Sequence, residues 1–346
     1  MNGERLDRIL AAFGGATVAV VGDFFLDQYL EIDPALDEVS LETGLTARQV
    51  VRARCQPGGA GNVVANLCAL GLGRVLCLGA IGDDGEGFEL LRALRRLGAE
   101  VEGLVVRSDR FTPTYRKPVV REDAGVLREL DRLDTKNRRP TPREIEEAIV
   151  ERVRELAPGL GAVIAQDQVQ EAECGAITTR VREALGEMAR EHPEVTWFVD
   201  SRVRVGEFRS IIVKPNREEA CAAVHPDSPA HDAAEAVGCA RELSTRTGAP
   251  VYLTLGEEGM AVVTSAGVTH VPTVRLEGEI DIVGAGDSAT VGIVAALCGG
   301  ASPAEAAVVG NIVASITVEQ LGTTGTASQE DVRRRFSEHR KVWEGV

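Results

Sequence analysis

The sequence predicts an α/β protein with a mostly parallel central sheet that is covered by helices on both faces. Short apolar runs such as 16–22, ATVAVVG, alternate with segments of helical periodicity along most of the 346 residues. Apolar runs without polar alternation are typical of strands buried on both faces, and repeated strand–helix units are typical of parallel sheets. The length fits one large α/β domain.

Apolar runs, helical periodicity and terminal glycines give the elements in chain order. Strands are predicted at 16–22, 75–81, 161–166, 195–199, 210–213 and 251–255, and a hairpin at 260–264 and 267–271. Helices are predicted at 62–70, 88–97, 143–156, 175–190, 231–247, 287–298 and 303–318, with a charged surface helix within 329–346. Ser302, Pro303 and Glu305 support the penultimate helix, because they form a capping box with proline at the first helical position.

Two segments, about 28–56 and 101–132, interrupt this alternation. They mix β-branched, charged and turn residues and lack a long apolar face. We therefore expect the chain 1–346 to form a single domain in which these segments make a small β lid over the carboxyl ends of the sheet strands. The second segment is rich in arginine. A solvated face is the default interpretation of these cations, and an anion-recognising lid is the alternative.

The composition limits the classes of partner. The formal net charge of −15 argues against a general nucleic-acid binder and against a binder of anionic membranes. No apolar run reaches the length of a membrane span. The seven cysteines contain no C-x-x-C pair, so neither a zinc site nor a redox pair is indicated. Their odd number, without a signal peptide, favours the cytoplasm.

The stretch 278–300, GEIDIVGAGDSATVGIVAALCGG, carries the most specific chemical signal. Gly284, Ala285 and Gly286 form a small turn before an apolar helix, and Asp287 lies in the first turn of that helix. The free N–H groups and the dipole at a helix N-terminus stabilise an anion, and a carboxylate beside them can take a proton from a hydroxyl. The pattern predicts general-base catalysis of phosphoryl transfer.

Two other interpretations of this stretch compete. In the first, Asp287 is only an N-cap that follows a tight turn. In the second, Gly284, Gly286 and Ala289 match the loose dinucleotide fingerprint G-x-G-x-x-G/A. That fingerprint needs a ribose-binding acid about 20 residues later, where residues 308–310 are valine and glycine. An acid inside the turn would also repel a pyrophosphate.

Further candidates lie after the first strand and before the first core helix. Asp23 and Asp27 follow strand 16–22, at the sheet edge where open α/β folds bind ligands. Gly58 and Gly59 allow the backbone to approach a ligand, and Asn62 offers a sugar diol both a donor and an acceptor. The alternatives are local capping by the aspartates and helix–sheet packing at the glycines.

Several motifs occur in an order that is typical of one family. PGGAGNVVANLCALG, KPNREEA, TLGEEG and DIVGAGDSATVGIVAAL follow one another along the chain. Over nearly its whole length the sequence resembles the ribokinase-like PfkB family of carbohydrate kinases, and the last motif is the most specific. VVGDFFLDQY and LGTTGTAS are most similar to the heptose-phosphate kinase branch. The lid stretch EVSLETG differs from the R-I-S-P-E-like stretch of that branch, so the resemblance leaves the sugar open.

The resemblance implies a three-layer α/β/α fold and ATP-dependent phosphorylation of a sugar or sugar phosphate. Asp287 would be the general base, and the backbone of 284–287 would hold the γ-phosphoryl group. The implied substrate-binding residues are Asp23, Asp27, Gly58, Gly59, Asn62, Lys117, Asp167 and Arg202. The implied nucleotide-binding residues are Lys214, Asn216, Thr254, Gly256, Gly259 and Asn311. Asn216 and Glu219 would hold Mg²⁺, mainly through water.

Two further expectations concern a bound cation, which the resemblance implies, and the oligomeric state. A monovalent cation would bind near Asp281 and Val283, although Ile282 and Val283 replace the residues usual in the family motif. A homodimer would form through the lid, because an exposed strand edge favours pairing. A nucleoside kinase and a catalytically silent sugar-binding or regulatory protein on the same fold are the alternatives. The content of aromatic residues, 4%, disfavours a nucleobase pocket, and the intact Asp287 disfavours a silent protein.

Overall fold

A computed structural model describes residues 1–121, 127–226, 232–322 and 324–346. The strands are β1 (Thr17–Gly22), β2 (Phe24–Ile32), β3 (Glu38–Val39), β4 (Thr46–Ala47), β5 (Val50–Gly59), β6 (Arg74–Gly82), β7 (Glu100–Arg107), β8 (Thr114–Arg121), β9 (Leu127–Glu129), β10 (Leu133–Thr135), β11 (Ala162–Asp167), β12 (Thr196–Ser201), β13 (Ile212–Val213), β14 (Val251–Thr254), β15 (Met260–Thr264) and β16 (Gly267–Val271). The helices are α1 (Gly3–Ala11), α2 (Ala60–Ala69), α3 (Gly85–Arg96), α4 (Arg143–Leu156), α5 (Thr179–Glu191), α6 (Arg217–Val224), α7 (Ala233–Thr247), α8 (Ala285–Cys298), α9 (Pro303–Thr317) and α10 (Gln329–Glu338). Residues 122–126 of the predicted lid lie outside the described residues.

Parallel pairing organises a nine-stranded sheet. Its strand order is β16-β15-β14-β13-β12-β11-β1-β6-β7, and the pairs β14–β15 and β15–β16 are antiparallel. The central strand β1 pairs in parallel with β6 on one side and with β11 on the other. The chain therefore adds strands in opposite directions from β1. The carboxyl ends of β1, β11, β12 and β14 lie along one edge, where open α/β sheets bind ligands.

Alternate residues of the central strand pack into two separate apolar cores. Val18 and Val20 lie in one core with residues of α1, α2, α8 and α9, and Ala19 and Val21 lie in the other with residues of α4, α5 and α7. Successive side chains of a strand point to opposite faces, so a strand covered on both sides is apolar throughout. Among the described helices, none combines the length and the apolar character needed to cross a membrane.

The chain leaves the main sheet directly after β1 and forms a five-stranded lid sheet. Its order is β10-β8-β2-β5, and β9 pairs with β8. β2 is antiparallel to β5 and parallel to β8, so the two segments that interrupt the strand–helix alternation meet in one sheet. The short hairpin of β3 and β4 belongs to the same excursion of the chain.

The predicted bounds of the lid were partly wrong. β7 falls within the predicted lid segment 101–132, but it pairs in parallel with β6 in the main sheet. Its buried Val101 and Leu104 continue the strand–helix alternation of the domain, which the arginines that follow had obscured. Conversely, residues 24–27 and 57–59 belong to the lid sheet rather than to the main domain.

Helices α8 and α9 approach each other closely through two glycines. A Cβ atom on Gly292 would lie 2.8 Å from Cα of Gly310 and 2.9 Å from the carbonyl oxygen of Val309. Side chains do not fit at such distances, because protein interiors are close-packed. The helix that begins at the Gly-Ala-Gly turn is therefore seated directly on the backbone of α9.

We predict that Gly292→Ala lowers the free energy of unfolding by about 1–3 kcal/mol, because the added methyl group forces α8 away from α9. Gly238→Ala in α7 is the matched control, since a Cβ there meets nothing within 4 Å. Alanine at that exposed helical position should be neutral or stabilising by about 0.5–1 kcal/mol. Urea denaturation measures both changes, and equal stabilities of the two variants would contradict the close helix contact.

Candidate active site

The Gly-Ala-Gly turn forms an open helix N-terminus. Gly284 adopts a left-handed conformation with φ 83°, and α8 starts at the next residue. The N–H of Ala285 bonds to Ile282 O at 3.1 Å, and the N–H of Ser288 bonds to Gly284 O at 2.9 Å. The N–H groups of Gly286 and Asp287, which lie between them, have no acceptor within the described chain. They lie at the positive end of the helix dipole, which is the part of a helix that can stabilise an anion.

Asn62 holds the carboxylate of Asp287 from the opposite side. The Nδ2 of Asn62 donates a hydrogen bond of 2.7 Å to Oδ2 of Asp287. A Cβ on Gly284 would lie 2.9 Å from the same Nδ2, so only glycine at that position leaves room for the amide. The first turn of α2 thus reaches the first turn of α8 across the turn at Gly284.

A buried ion pair lies on the other side of the same turn. Lys214 Nζ is 3.0 Å from Oδ2 of Asp200, and Thr290 Oγ1 donates to that oxygen at 3.1 Å. A Cβ on Gly286 would lie 3.4 Å from the Lys214 ammonium. We did not predict a role for Asp200 from the sequence. The available signal was its place at the end of β12, beside the KPN motif.

These elements enclose a cavity of about 650 Å³, which is in the size range of small-ligand sites. Its lining includes the turn Gly284–Asp287 and polar side chains from the ends of several strands. The predicted site residues that line it are Arg202, Lys214, Asn216, Glu219, Thr254, Gly256, Gly259, Gly284, Ala285, Gly286, Asp287 and Asn311. The cavity therefore brings together every residue that was predicted to bind a nucleotide.

Comparison with known proteins relates the chain to carbohydrate kinases. Residues 208–330 match the model of the pfkB family carbohydrate kinases. Bifunctional protein HldE of Trichlorobacter lovleyi is 30% identical over 325 residues, which are 93% of this chain and 63% of that protein. Residues 208–330 belong to a PfkB family carbohydrate kinase domain. The chain spans less than two thirds of the length of that curated relative.

Solved structures show that this PfkB chain has the ribokinase-like fold. Phosphofructokinase-2 from Escherichia coli, in complex with potassium, superposes with a TM-score of 0.71 at 18% identity and covers 93% of this chain and 98% of its own. Ribokinase from Arabidopsis thaliana, complexed with ribose and ATP, gives a TM-score of 0.67 at 18% identity, with 92% and 98% covered. The predicted family and fold class are confirmed.

Asn216 and Glu219, the predicted magnesium residues, form a capping box at the start of α6. The side chain of Asn216 accepts from Glu219 N, and Oε2 of Glu219 accepts from Asn216 N, each at 2.8 Å. Among the described residues, no cluster of three or more His, Cys, Asp or Glu is arranged to hold a metal. Mg²⁺ does not require such a cluster, because it usually keeps several waters.

The remaining nucleotide-side residues have identifiable structural roles. Gly256 and Gly259 have φ values of 63° and 87°. A Cβ on Gly259 would lie 2.2 Å from Val271 O, so this position requires glycine. The Nδ2 of Asn311 donates to the carbonyl oxygens of Val271 and Pro272, at 3.0 and 3.1 Å. Thr254 and Asn216 form an isolated parallel β-bridge through their backbones, which places both residues beside the cavity.

Asp23 and Asp167, both predicted to bind substrate, are buried and serve other groups. Asp23 accepts hydrogen bonds from three backbone N–H groups, those of Gln168, Val169 and Ala176, at 2.6–3.0 Å. Asp167 accepts from Ser201 Oγ at 2.6 Å and pairs with Arg204 at 2.9 Å. Neither residue lines the cavity at Asp287. Their carboxylates hold the loops that follow β11 and β12.

Asp27, Gly58 and Lys117 form a second group inside the lid sheet. Lys117 Nζ is 3.1 Å from Oδ2 of Asp27, and both side chains are buried. A Cβ on Gly58 would lie 3.0–3.2 Å from the Asp27 carboxyl group, so this glycine leaves the carboxyl face open. Burial by itself lowers the pKa of Lys117, but Asp27 and Tyr29 outweigh it and raise that pKa.

Two arginines of the lid, Arg116 and Arg121, are paired with acids. Arg116 forms an ion pair with Glu86, and Arg121 forms one with Glu31 at 3.3 Å. These pairs agree with the default interpretation of a charge-balanced, solvated face. Arg202 differs from them, because it is exposed, lines the cavity and donates through Nε to Gln168 Oε1 at 2.8 Å.

Asp281 fixes the segment before the turn Gly284–Gly286. Its Oδ1 accepts from Val283 N at 3.0 Å, and its Oδ2 accepts from Gly322 N at 3.3 Å. Thr323, in the loop after Gly322, lies outside the described residues.

Gly59, at the end of the lid strand β5, has φ 55°, and a Cβ there would lie 2.6 Å from Asp23 O.

The environment of Asp287 favours its protonated form. Burial and then the charge of Asp200 raise the pKa of Asp287 from its ordinary 3.8 to about 7. The hydrogen bond from Asn62 and the charges of Lys214 and Arg202 act in the opposite direction. A carboxylate with a pKa near 7 matches the requirement for a general base that works at neutral pH.

The same pKa has a consequence for stability. Because the pKa of Asp287 is higher in the folded state, the native protein binds more protons than the unfolded chain between about pH 4 and 7, so stability falls as the pH rises through that window. We predict that Asp287→Asn raises the free energy of unfolding by about 1–3 kcal/mol at pH 8 and by less at pH 5. Urea denaturation at both pH values measures this, and a loss of stability at pH 8 would contradict it.

Proposed function

We propose that this PfkB chain transfers the γ-phosphoryl group of ATP to a hydroxyl of a sugar or sugar phosphate. The observation that carries the proposal is the half-buried carboxylate of Asp287, which lies beside the N–H groups of Gly286 and Asp287 at the start of α8 and is held by Asn62 at 2.7 Å. Asp287 takes the proton of the acceptor hydroxyl. The hydroxyl oxygen bonds to the γ-phosphorus as the bond from that phosphorus to the leaving ADP oxygen breaks.

The anion-binding turn supplies the electrostatic part of catalysis. The N–H groups of Gly286 and Asp287 point out of the helix end, where charge develops on the transferred group. Because these donors are fixed by the fold, they need little reorganisation during the reaction. The neighbouring Lys214 is neutralised by Asp200, so it contributes less charge to the cavity than an isolated lysine would.

ATP is assigned to the cavity lined by Lys214, Asn216, Thr254, Gly256, Gly259 and Asn311. Its size and its glycine-lined wall fit a nucleotide, and the Arabidopsis ribokinase of the same fold is complexed with ribose and ATP. Glu219 and Asn216 would hold Mg²⁺ through water, and the ion would neutralise phosphate charge. A monovalent cation is proposed near Asp281 and Val283, and the related phosphofructokinase-2 structure holds potassium.

The acceptor is assigned to the side of Asp287 that faces α2 and the lid sheet. Asn62 reaches Asp287 from this side, and Gly58 leaves the face of Asp27 open within the lid. Asp27 and Lys117 offer both an acceptor and donors to sugar hydroxyls. Arg202 lies at the cavity and is the cation we assign to a charged part of the substrate.

We predict that Asp287→Asn lowers kcat by about 10²- to 10⁴-fold and leaves ATP binding in place, because only the proton acceptor is lost. In the wild type, kcat/KM should rise with pH through about 7, as the carboxyl group loses its proton. Steady-state kinetics over a panel of free and phosphorylated sugars, with calorimetric titration of ATP, measures both. An Asn variant that keeps more than about a tenth of the wild-type kcat would overturn the role of Asp287.

We also propose that the lid sheet forms a homodimer. The excursion 36–51 exposes several apolar side chains, which are Leu36, Val39, Leu41, Leu45, Val50 and Val51. Leu41 and Val39 are 104% and 69% exposed. β5 lies at the edge of the lid sheet, so its outer backbone groups can pair with a second strand. Large exposed apolar patches mark interaction surfaces.

For the dimer, we predict that the double variant Leu41→Asp/Val51→Asp is monomeric while the wild type is a dimer. Two buried carboxylates would oppose association because they lose hydration without a partner. Leu97→Asp is the matched control, since Leu97 is an exposed leucine at the end of α3. Light scattering after size exclusion gives the mass. A double variant that stays dimeric would remove the lid from the interface.

A further inference from the structure

A buried asparagine lies behind the residue that holds Asp287. Asn66 is on α2, one turn after Asn62, and none of its surface is exposed. Its Nδ2 donates to the backbone oxygen of Asn62 at 3.1 Å and to the side-chain Oδ1 of Asn62 at 3.3 Å. The two asparagines and Asp287 therefore form a continuous chain of hydrogen bonds.

The direction of this chain determines which end of the Asn62 amide faces Asp287. An asparagine side chain carries an acceptor oxygen and a donor NH₂ group on the same planar amide. Asn66 presents a donor to Asn62, so the amide oxygen of Asn62 is held toward Asn66. Its NH₂ group is then directed at the carboxylate of Asp287. A reversed amide would place two acceptors, Oδ1 of Asn62 and Oδ2 of Asp287, against each other.

Asn66 keeps this position although one of its own polar atoms has no partner. Its Oδ1 is buried, and within the described part of the chain it accepts no hydrogen bond. Such atoms are rare in folded proteins because burial removes their water. Neighbouring positions on α2, such as Val63, Val64 and Leu67, are apolar and fully buried. An apolar side chain at position 66 would fit the same core. What asparagine adds there is the Nδ2 donor that bonds to Asn62, since its Oδ1 acceptor makes no bond within the described residues.

We propose that Asn66 is a positioning residue for the base, which acts through Asn62 by fixing the orientation of its amide. The inference rests on the proposed function of Asp287, because it concerns the same carboxylate. Asn66 touches neither the substrate nor Asp287. By orienting Asn62, it directs a hydrogen-bond donor at the side of the Asp287 carboxylate that faces away from Asp200.

The other charged groups around Asp287 come from separate elements. Asp200 lies near the end of β12, Arg202 lies in the loop after β12, and Lys214 lies directly after β13. Asp200 favours the protonated carboxyl group, and the two cations favour the carboxylate. None of these residues lies on α2. Changes at Asn66 therefore leave this set of charges in place and alter only the hydrogen bond from Asn62.

The test compares the wild type with Asn66→Leu, Asn62→Ala and the double variant of both. Leucine has the branched shape of asparagine but no donor. Asn66→Ala is a second variant in case leucine disturbs the core. Leu67→Val on the same helix is the matched control, because it loosens the core without touching the amides. The readouts are the pH profile of kcat/KM and the titration of the Asp287 carboxyl carbon by ¹³C NMR, assigned by its loss in Asp287→Asn.

We expect Asn66→Leu to shift both titrations to higher pH and to lower kcat/KM at pH 6 about three- to tenfold more than at pH 8.5, because a hydrogen bond to the carboxylate is lost. Asn62→Ala should shift them in the same direction, and adding Asn66→Leu to it should cause no further shift. Leu67→Val should lower the melting temperature and leave the titrations unchanged.

Two results would overturn the inference. One is an Asn66→Leu protein, or an Asn66→Ala protein, whose Asp287 titration matches that of the wild type. The other is an equal shift by Asn66→Leu in the presence and absence of the Asn62 amide, which would show that Asn66 acts by another route. A wild type that transfers no phosphoryl group to any sugar would defeat the proposed function, and the NMR titration would still decide the role of Asn66.

Discussion

The hydrogen bond between Asn62 and Asp287 is the contact on which the geometry of the site depends. It joins residues that are 225 positions apart, at the first turns of α2 and α8. Two backbone conditions make it possible. Gly284 lacks the Cβ that would occupy the place of the amide, and Gly59, at φ 55°, turns the lid strand β5 into α2. This contact therefore links α2, which follows the lid strand β5, to the turn at Gly284.

The packing behind α8 supports the same contact from the other side. Gly292 allows α8 to lie directly on α9, and the small residues of both helices fill a common core. The helix end therefore has little freedom to move along its axis. An anion site made of backbone N–H groups needs this rigidity, because the donors cannot adjust individually as side chains do.

The proposed role of Asp287 as a base is opposed to the stability of the folded protein. Burial and the charge of Asp200 raise its pKa to about 7, which suits a base but makes the ionised group unfavourable in the folded protein. The pair of Asp200 with Lys214 limits that effect, because Lys214 also favours the carboxylate of Asp287. Active sites commonly keep such unfavourable arrangements, since function rather than stability selects them.

The sequence predicted those features that depend on local pattern. The turn Gly284–Gly286, the start of α8 and the buried strand β1 all follow from residues that are adjacent in the chain. The pairing of Asp200 with Lys214 and the hydrogen bond from Asn62 to Asp287 depend on contacts between separate segments, which no local pattern records. Asp23 shows the same limit, because its three backbone donors come from the loop after β11, more than 140 residues away.

The lid was the least predictable part for a related reason. Its strands come from separate segments, and their cations look alike in sequence. Only the fold shows that Arg116 and Arg121 pair with acids and that Lys117 is buried beside Asp27. Strand β7 was assigned to the lid because arginines follow it, although its apolar residues belong to the main sheet.

The position of the acceptor hydroxyl decides whether Asp287 is the base. A crystal structure of the protein with a non-hydrolysable ATP analogue and a sugar accepted in the kinetic panel would locate it. We expect the reacting hydroxyl to lie about 2.6–3.2 Å from a carboxylate oxygen of Asp287, with the terminal phosphate of the analogue on the N–H groups of Gly286 and Asp287. A sugar bound away from Asp287, with its reacting hydroxyl against another base, would contradict it.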